Sequence, residues 1–233
     1  MKQILTLCTA FILLLNSCDM TSGSGNVITE KRQPGNFTGI NISNGFEVEV
    51  RIGSVQELRL EADDNIMKHI KTEVSGNILT IKIEDMHSIN NAHLKAYITV
   101  PDLNNINASG GANVKVVDEI KGNGKLKFNA SGGAEIEATV EAPEVETEAS
   151  GGAGIELRGK TKRYTAEASG GGWLKTADLL SETTSANASG GGSAEVYGSV
   201  RINADASSGG NIKYSGEGEL KKEESSGGSV QKD

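Results

Sequence analysis

The chain is 233 residues long and has a formal net charge of −8, from 31 acidic and 23 basic residues. This acidic balance disfavours binding to nucleic acid or to anionic lipid by charge attraction. The length is sufficient for a domain with a sizeable buried core.

Residues 1–17 have the composition of an export signal. Lys2 precedes an uncharged apolar run, residues 4–15, which is shorter than the roughly 20 residues that a transmembrane helix needs. The run is followed by Ser17-Cys18, and a small residue directly before a cysteine at this place resembles the bacterial lipobox, whose cysteine becomes the diacylated N-terminus. The sequence therefore predicts a signal peptide at 1–17 and lipidation at Cys18. The alternative is an ordinary signal peptide that leaves a soluble secreted protein.

Residues 18–25 are predicted to carry the lipid and to form a flexible tether, because their composition is typical of linkers. The other cysteine of the chain, Cys8, lies in the signal, so the folded part is expected to form no disulfide. We expect the protein to be exported and attached through its lipid to the outer membrane, on the periplasmic or the cell-surface side. The folded domain is then residues 26–233.

Residues 26–101 form the less regular part of this domain. Apolar and polar residues alternate in four short stretches, which predicts strands at 46–52, 58–60, 78–83 and 94–100. Residues 63–71 fit a turn or a single helical piece. Around Ser43 the alternation has the phase of the repeats that follow, which favours an irregular early copy of the same unit, with longer copies after it. A separate β-sandwich over residues 26–101 is the alternative.

Residues 102–233 contain an internal repeat. The motif Ser, Gly or Ser, Gly recurs at spacings of 22, 19, 19, 20, 18 and 18 residues, with its first serine at Ser109, Ser131, Ser150, Ser169, Ser189, Ser207 and Ser225. On both sides of the motif apolar and polar residues alternate, as in strands with one buried face. The sequence therefore predicts an all-β fold, a single-stranded parallel β-helix (β-solenoid). Each coil of roughly 19 residues would contain a strand, a Ser-Gly corner, a second strand and a return loop.

The Ser-Gly corner motif is predicted to be structural. Glycine tolerates a positive φ and a close approach of neighbouring coils, and a sharp turn within a stack requires both. A phosphate-binding loop would need a following helix or a lysine at a set spacing, and the motif has neither. We expect valine at Gly152, in a middle coil, to be strongly destabilising and valine at Gly228, in the last coil, to be much milder.

The sequence offers no set of catalytic residues and no motif for a metal or a cofactor. The three histidines, His69, His87 and His93, all precede the regular repeats. Carboxylates concentrate at residues 135–148, but outward side chains diverge along a strand, so no metal site is predicted there. The sequence therefore predicts that the protein is not an enzyme and does not use a cofactor. A polysaccharide-degrading β-helix enzyme is the less favoured alternative.

Two aromatic residues are candidate ligand contacts, Trp173 and Tyr197. Trp173 follows a corner and is predicted to point outward, where an indole can stack on a sugar ring. The alternative is that Trp173 packs over the loop at residues 176–180, and Tyr197 is open to the same two interpretations. These residues favour a surface glycan or a protein as the ligand. A purely structural spacer of the cell envelope is the alternative function.

Four segments of the chain carry a likeness to a known family. They are Phe37 to Val48, which contains the triplet Gly39-Ile40-Asn41, then Glu61 to Asn65, Ser75 to Ile81 and Val100 to Gly111. In this order they resemble the family of putative auto-transporter adhesins with a head GIN domain. The resemblance implies a right-handed β-helix and an envelope lipoprotein of Bacteroidota type, with adhesion as the expected function. It brings no catalytic residues with it.

Overall fold

The computed structural model describes residues 20–84 and 88–233. The predicted signal peptide at 1–17, Cys18 and His87 lie outside the described residues. Within the described part, no helix is long and apolar enough to cross a membrane.

The described residues up to position 100 form short strands and a single helical turn. In chain order these are β1 (Met20–Ser22), β2 (Val27–Arg32), β3 (Gly39–Ile42), β4 (Glu47–Ile52), β5 (Glu57–Asp63), α1 (Asp64–Met67), β6 (Ile70–Ser75), β7 (Ile78–Ile83), β8 (Ser88–Asn90) and β9 (Leu94–Val100). The helical turn α1 lies in the segment 63–71, for which the sequence predicted a turn or a single helical piece.

Residues 101–233 contain strands joined by corners and loops. They are β10 (Asn105–Ala108), β11 (Asn113–Val116), β12 (Ile120–Lys121), β13 (Lys125–Ser131), β14 (Glu135–Ser150), β15 (Gly154–Ala168), β16 (Trp173–Thr176), β17 (Leu179–Ala188), β18 (Ser193–Tyr197), β19 (Arg201–Ala206), β20 (Asn211–Ser215), β21 (Glu219–Glu224) and β22 (Ser229–Lys232).

Each coil of this region has up to three faces. The leading face consists of strands that run into a Ser-Gly corner, such as β13, and the trailing face of strands that leave it, such as β11 and β16. The return face is formed by short segments that close the coil: β12, residues 140–142 of β14, residues 159–161 of β15 and residues 179–181 of β17. The long strands β14 and β15 pass through all three faces.

Equivalent strands of successive coils pair in parallel and in register. On the leading face Ala149 lies between Ala130 and Ala168, and on the trailing face Ile136 pairs with Ile155. Each coil therefore stacks about 4.8 Å from the last, as neighbouring strands do in any sheet. The stack has about seven turns. The prediction of an all-β, single-stranded parallel β-solenoid is confirmed.

The N-terminal part joins the same stack. β3 pairs in parallel with β10 on one side and with β7 on the other, and β4 pairs likewise with β11 and β9. The coil of β3 and β4 thus lies inside the stack. The strands β7 and β9 flank it on one side and β10 and β11 on the other, and all four follow it in the chain. Antiparallel pairs close this end, because β6 turns back on β7 and β5 joins β9 to β2. The described residues between 26 and 101 thus belong to the same stack as the later coils and form no separate β-sandwich.

Residues 20–25, predicted as a flexible tether, are held against this N-terminal end in the structure. β1 pairs in parallel with β8. The buried carboxylate of Asp63 accepts hydrogen bonds from the amides of Gly25 and His93, both at 2.7 Å, and Asp64 accepts one from the Ser24 hydroxyl at 2.6 Å. The composition of residues 20–25 predicted a flexible tether because it does not show their hydrogen-bond acceptors, Asp63 and Asp64, which lie about forty residues further along the chain.

The inward side chains form one continuous core through the stack. Most are aliphatic, but the middle coils also bury hydroxyl groups. Tyr164 is 1% exposed, and its hydroxyl lies 2.8 Å from that of Thr147 on the preceding coil. Burial raises the pKa of Tyr164 to about 12, an effect that its hydrogen bond to Thr147 only partly offsets. The pairing satisfies polar groups that would otherwise be costly to bury.

Charged side chains close the C-terminal end of the stack. Lys222 and Glu224 of β21 are in register with the inward alanines Ala204 and Ala206 of the coil before. The Lys222 ammonium lies 3.1 Å from Glu224, which also accepts a hydrogen bond from the Val230 amide at 2.6 Å. That amide and Lys222 lower the pKa of the Glu224 carboxyl. Inward charges of this kind discourage another chain from adding to an open sheet edge.

Candidate functional site

The predicted corner serines lie at the junction of the leading and trailing faces. Each begins a tight turn in which its carbonyl accepts the amide of the residue three positions later, as from Gly172 to Ser169 at 2.8 Å. The two residues between have positive φ, as in the pair Gly151 (+61°) and Gly152 (+77°). This is the geometry of a type I′ turn, which glycine adopts without strain.

Gly228 corrects one expectation about these corners. It follows the last turn and is not the equivalent of Gly152, whose counterpart there is Gly227 with a φ of +80°. A β-carbon at Gly228 would overlap the carbonyl group of Ala206 on the neighbouring coil. The expectation of a mild effect for valine at Gly228 is therefore wrong, because backbone of the adjacent coil cannot move aside as a flexible side chain can.

Trp173 starts β16 on the trailing face and is half-buried. Its neighbour in register on the preceding coil is Gly154, and a β-carbon there would overlap the six-membered ring of the indole. The indole therefore packs over the bare backbone of Gly154, while the Lys175 ammonium lies 4.8 Å from the ring centre. Packing of an aromatic ring over a glycine in a neighbouring strand stabilises a sheet.

Tyr197 ends β18, where the trailing face meets the return face. Its ring is half-buried and lies next to Gly216 of the following coil. Its carbonyl oxygen accepts hydrogen bonds from the hydroxyls of Ser181 and Thr184, at 2.5 and 2.6 Å. Tyr197 also lines the groove described next, whereas Trp173 does not. Of the two aromatic residues named from the sequence, the structure thus places Tyr197 at this groove and Trp173 away from it.

An open groove of about 700 Å³ runs along the return face. One row of outward side chains in its lining follows the parallel register from coil to coil: Lys121, Glu141, Lys160 and Leu180. Pro143, Lys162 and Glu182 lie two residues further along their coils, and Tyr197 and Ser199 complete one end. Leu180 is the apolar residue of this row, and 46% of its surface is exposed.

The sequence did not predict this groove, because the segments between the strands have the length of simple return loops. A signal was nevertheless present. Val140-Glu141-Ala142 and Leu179-Leu180-Ser181 alternate inward and outward just as the longer strands do, and the inward members are buried. The segments are only two or three residues long, which is too short for alternation to stand out in one repeat. Comparison across repeats at the same phase would have found it.

Charges in the groove are unevenly paired. Lys121 lies 3.3 Å from Glu119 and 3.7 Å from Glu141, and the hydrogen bond to Glu119 is the main reason why its pKa is raised. In the ranges 20–84 and 88–233, no carboxylate lies within 4.0 Å of the ammonium group of Lys160 or Lys162. The groove thus contains two cations without an ion pair.

The broad faces are different, because several of their cations are paired across coils. The pairs include Lys115 with Glu137 at 2.9 Å, Lys127 with Glu146 at 3.2 Å and Arg163 with Glu144 at 3.0 Å. Exposed pairs of this kind contribute little stability individually, but they set the register of a stack. Among the described residues, Lys160 and Lys162 of the groove form no such cross-coil pair, whereas Lys121 pairs with Glu141.

The sequence matches a known protein family over residues 36–218, and that family is described as "putative auto-transporter adhesin, head GIN domain". No curated protein matches the chain at a significant level.

Several solved structures have a similar fold. A putative adhesin from Bacteroides fragilis NCTC 9343 is 21% identical, with a TM-score of 0.82 over 91% of this chain and 98% of that one. A putative adhesin from Parabacteroides distasonis ATCC 8503 is 20% identical, with a TM-score of 0.73 over 92% and 100% of the two chains. A protein of the same strain described as a putative lipid binding protein is 20% identical, with a TM-score of 0.67 over 91% and 99%. At these identities the likeness is one of fold.

Proposed function

Because this chain belongs to the family described as "putative auto-transporter adhesin, head GIN domain", we propose that it is a non-catalytic adhesin of the cell envelope. In this proposal the chain is an outer-membrane lipoprotein attached through Cys18, and its β-solenoid presents the return-face groove to a glycan or a protein on another surface. The family description supports a binding role, and the signal at residues 1–17 supports export.

The groove is the observation that carries the proposal. Its volume of about 700 Å³ lies within the range of roughly 300–1,000 Å³ that is usual for ligand sites. Its lining combines an exposed leucine and a tyrosine ring with charged side chains, so it offers both apolar contact and orienting polar groups. The rigid stack of coils beneath it fixes the spacing of these groups, which lowers the entropic cost of binding.

The N-terminal residues support attachment at one end of the stack. Cys18 precedes β1 by two residues, and β1 pairs with β8 beside the antiparallel pairs that close this end. Two residues span at most about 7 Å, so a lipid on Cys18 would hold this end close to the bilayer. The repeated coils would then extend away from the anchor and leave the groove open to a partner.

The test is retention of glycans and extracellular proteins by the mature chain, residues 18–233, made soluble by Cys18→Ser. An adhesin should retain at least one class of ligand, and Leu180→Ser should weaken that retention because it removes the exposed apolar contact of the groove. Val200→Ser is the matched control. Val200 is also apolar and exposed, at 60%, but does not line the groove.

A spacer of the envelope makes the opposite prediction. If the mature chain retains neither glycans, nor proteins, nor whole cells, the adhesin proposal fails and the spacer function is favoured. Retention that Leu180→Ser leaves unchanged would place the binding surface outside the groove.

A further inference from the structure

We propose that the groove on the return face binds an acidic oligosaccharide, with the carboxylate or sulfate groups of the ligand held by Lys160 and Lys162. This inference rests on the proposed function, since it names the ligand class of the same groove.

The charge of the groove differs in sign from that of the protein. Its lining holds three lysines, Lys121, Lys160 and Lys162, against two glutamates, Glu141 and Glu182, which gives a formal charge of +1. The whole chain carries −8. Lys121 is bound to Glu119 and Glu141, so the charge of Glu141 is already compensated. A local cationic surface on an acidic protein favours a ligand with a few well-separated negative charges.

The two unpaired lysines are placed to act together. Lys160 and Lys162 belong to β15 and both point outward, since the residue between them, Thr161, is buried. Two residues of chain span at most about 7 Å, so their Cα atoms lie no further apart than that. Glu182 follows Lys162 on the next coil but forms no ion pair with it among the described residues. Both ammonium groups are free to donate charge-assisted hydrogen bonds to an anion.

Apolar groups beside the lysines suit the faces of sugar rings. Leu180 is the neighbour of Lys160 on the next coil, and Pro143 lines the groove on the coil before. The half-buried ring of Tyr197 lies at one end of the same groove. Sugar rings present C–H groups on their faces and polar groups at their edges, so an aromatic or aliphatic wall with flanking cations matches an acidic sugar.

Other anionic ligands fit less well. Double-stranded DNA has one charge per roughly 1.7 Å of its axis, and the rest of this acidic protein would repel it. An acyl chain requires an enclosed apolar cavity, whereas this groove is open and lined by charged side chains. An oligosaccharide with one acidic group on some of its sugars requires only the few cations that the groove provides.

The experiment compares acidic glycans with neutral counterparts of the same backbone. The mature chain with Cys18→Ser is tested on an array with oligogalacturonate, its fully methyl-esterified form, and sulfated and unsulfated galactan, and affinities are measured by calorimetry for those retained. The variant is Lys160→Gln/Lys162→Gln. The control is Lys68→Gln/Lys213→Gln, which changes the net charge equally at two exposed lysines outside the groove.

We expect retention of at least one acidic glycan and not of its neutral form, with a Kd raised about tenfold or more by the groove variant and by less than about twofold by the control. Equal weakening by both variants, or retention of neutral glycans only, would overturn the inference while leaving an adhesin. Binding to phosphatidylglycerol vesicles without binding to any acidic glycan would also overturn it. Retention of nothing at all would remove both the inference and the proposed function.

Discussion

Trp173 and Gly154 illustrate how a residue type depends on its neighbour in the next coil. A β-carbon at Gly154 would overlap the indole of Trp173, which occupies the space that a side chain would fill. The two residues therefore act as one packing unit. The sequence indicated an exposed tryptophan, and only the register of the coils shows what lies beneath it.

We expect Trp173→Ala to lower the free energy of unfolding by about 1–2 kcal/mol, since it exposes the backbone of Gly154. Gly154→Ala should cost a similar amount in the parent protein, because the new methyl group displaces the indole. In the Trp173→Ala background the same Gly154→Ala change should be nearly neutral. Chemical denaturation of the four proteins measures this coupling, and additive effects would show that the indole packs elsewhere.

Tyr164 supplies a prediction about pH. Its folded-state pKa of about 12 is above the usual 10.0, so the fold favours the neutral phenol. The contribution of un-ionised Tyr164 to the free energy of unfolding is fully present below pH 10. It is lost as the pH rises through 12, and the total loss is about 2–3 kcal/mol. Denaturation between pH 9 and pH 12 should therefore show a steeper loss for the parent protein than for Tyr164→Phe. Parallel curves for the two proteins would contradict a buried, un-ionised tyrosine.

At the scale of the element, the Ser-Gly corner is defined by its two positive φ angles. The first position accepts residues other than glycine, since Asn44, Ser208 and Ser226 occupy it with φ of 62°, 49° and 48°. The second is glycine in each of these corners, as in Gly45 and Gly209. Asn and Ser tolerate the left-handed region better than branched residues do.

Gly152→Val should therefore cost about 1–3 kcal/mol. No atom lies within 4 Å of the added β-carbon, so the cost comes from the backbone and not from a clash. Gly152→Asn should recover roughly 1 kcal/mol of this loss. Glu148→Gln, on the exposed surface of the same coil, should lie within about 0.5 kcal/mol of the parent. Urea unfolding measures all three, and harmless valine at Gly152 would mean that the corner is a flexible linker.

The strands of the regular coils could be predicted because each is long enough for alternation to show. Leu126-Lys127-Phe128 already separates an inward from an outward face, and the same phase returns in each repeat. The return segments that carry the groove are only two or three residues long, so their alternation shows only when the repeats are compared at the same phase. The fixing of residues 20–25 could not be found from alternation, because it depends on a distant partner, Asp63 for Gly25, and such a pair leaves no local pattern.

At the scale of the whole molecule, the two ends of the solenoid are closed in different ways. The N-terminal end is closed by antiparallel strands and lies beside residues 20–25, whereas the C-terminal end is closed by Lys222 and Glu224. Attachment at the first end and protection of the second would leave the sides of the stack, including the groove, available to a partner.

The anchor is tested by labelling cells with a fatty-acid analogue. We expect the wild-type chain to incorporate the label and Cys18→Ser to lose it, because the Cys18 thiol is the predicted site of acylation. Cys8→Ser, within the predicted signal, should retain the label. Labelling of the Cys18→Ser protein would exclude Cys18 as the site.

Because of the position of the β3–β4 coil, the chain can be truncated coil by coil from its C-terminus but not from its N-terminus. The strands of this coil are held on one side by β7 and β9 and on the other by β10 and β11, all of which follow it in the chain. Shortening the chain from its C-terminus removes whole coils in sequence and leaves each remaining neighbour in place. Shortening the chain from the N-terminus past residue 52 removes the β3–β4 coil from the middle of the stack. The strands on its two sides, β7 and β9 and then β10 and β11, lose the partner that joins them. Coils can therefore be removed from the C-terminal end without disturbing the strand pairs of the N-terminal coils.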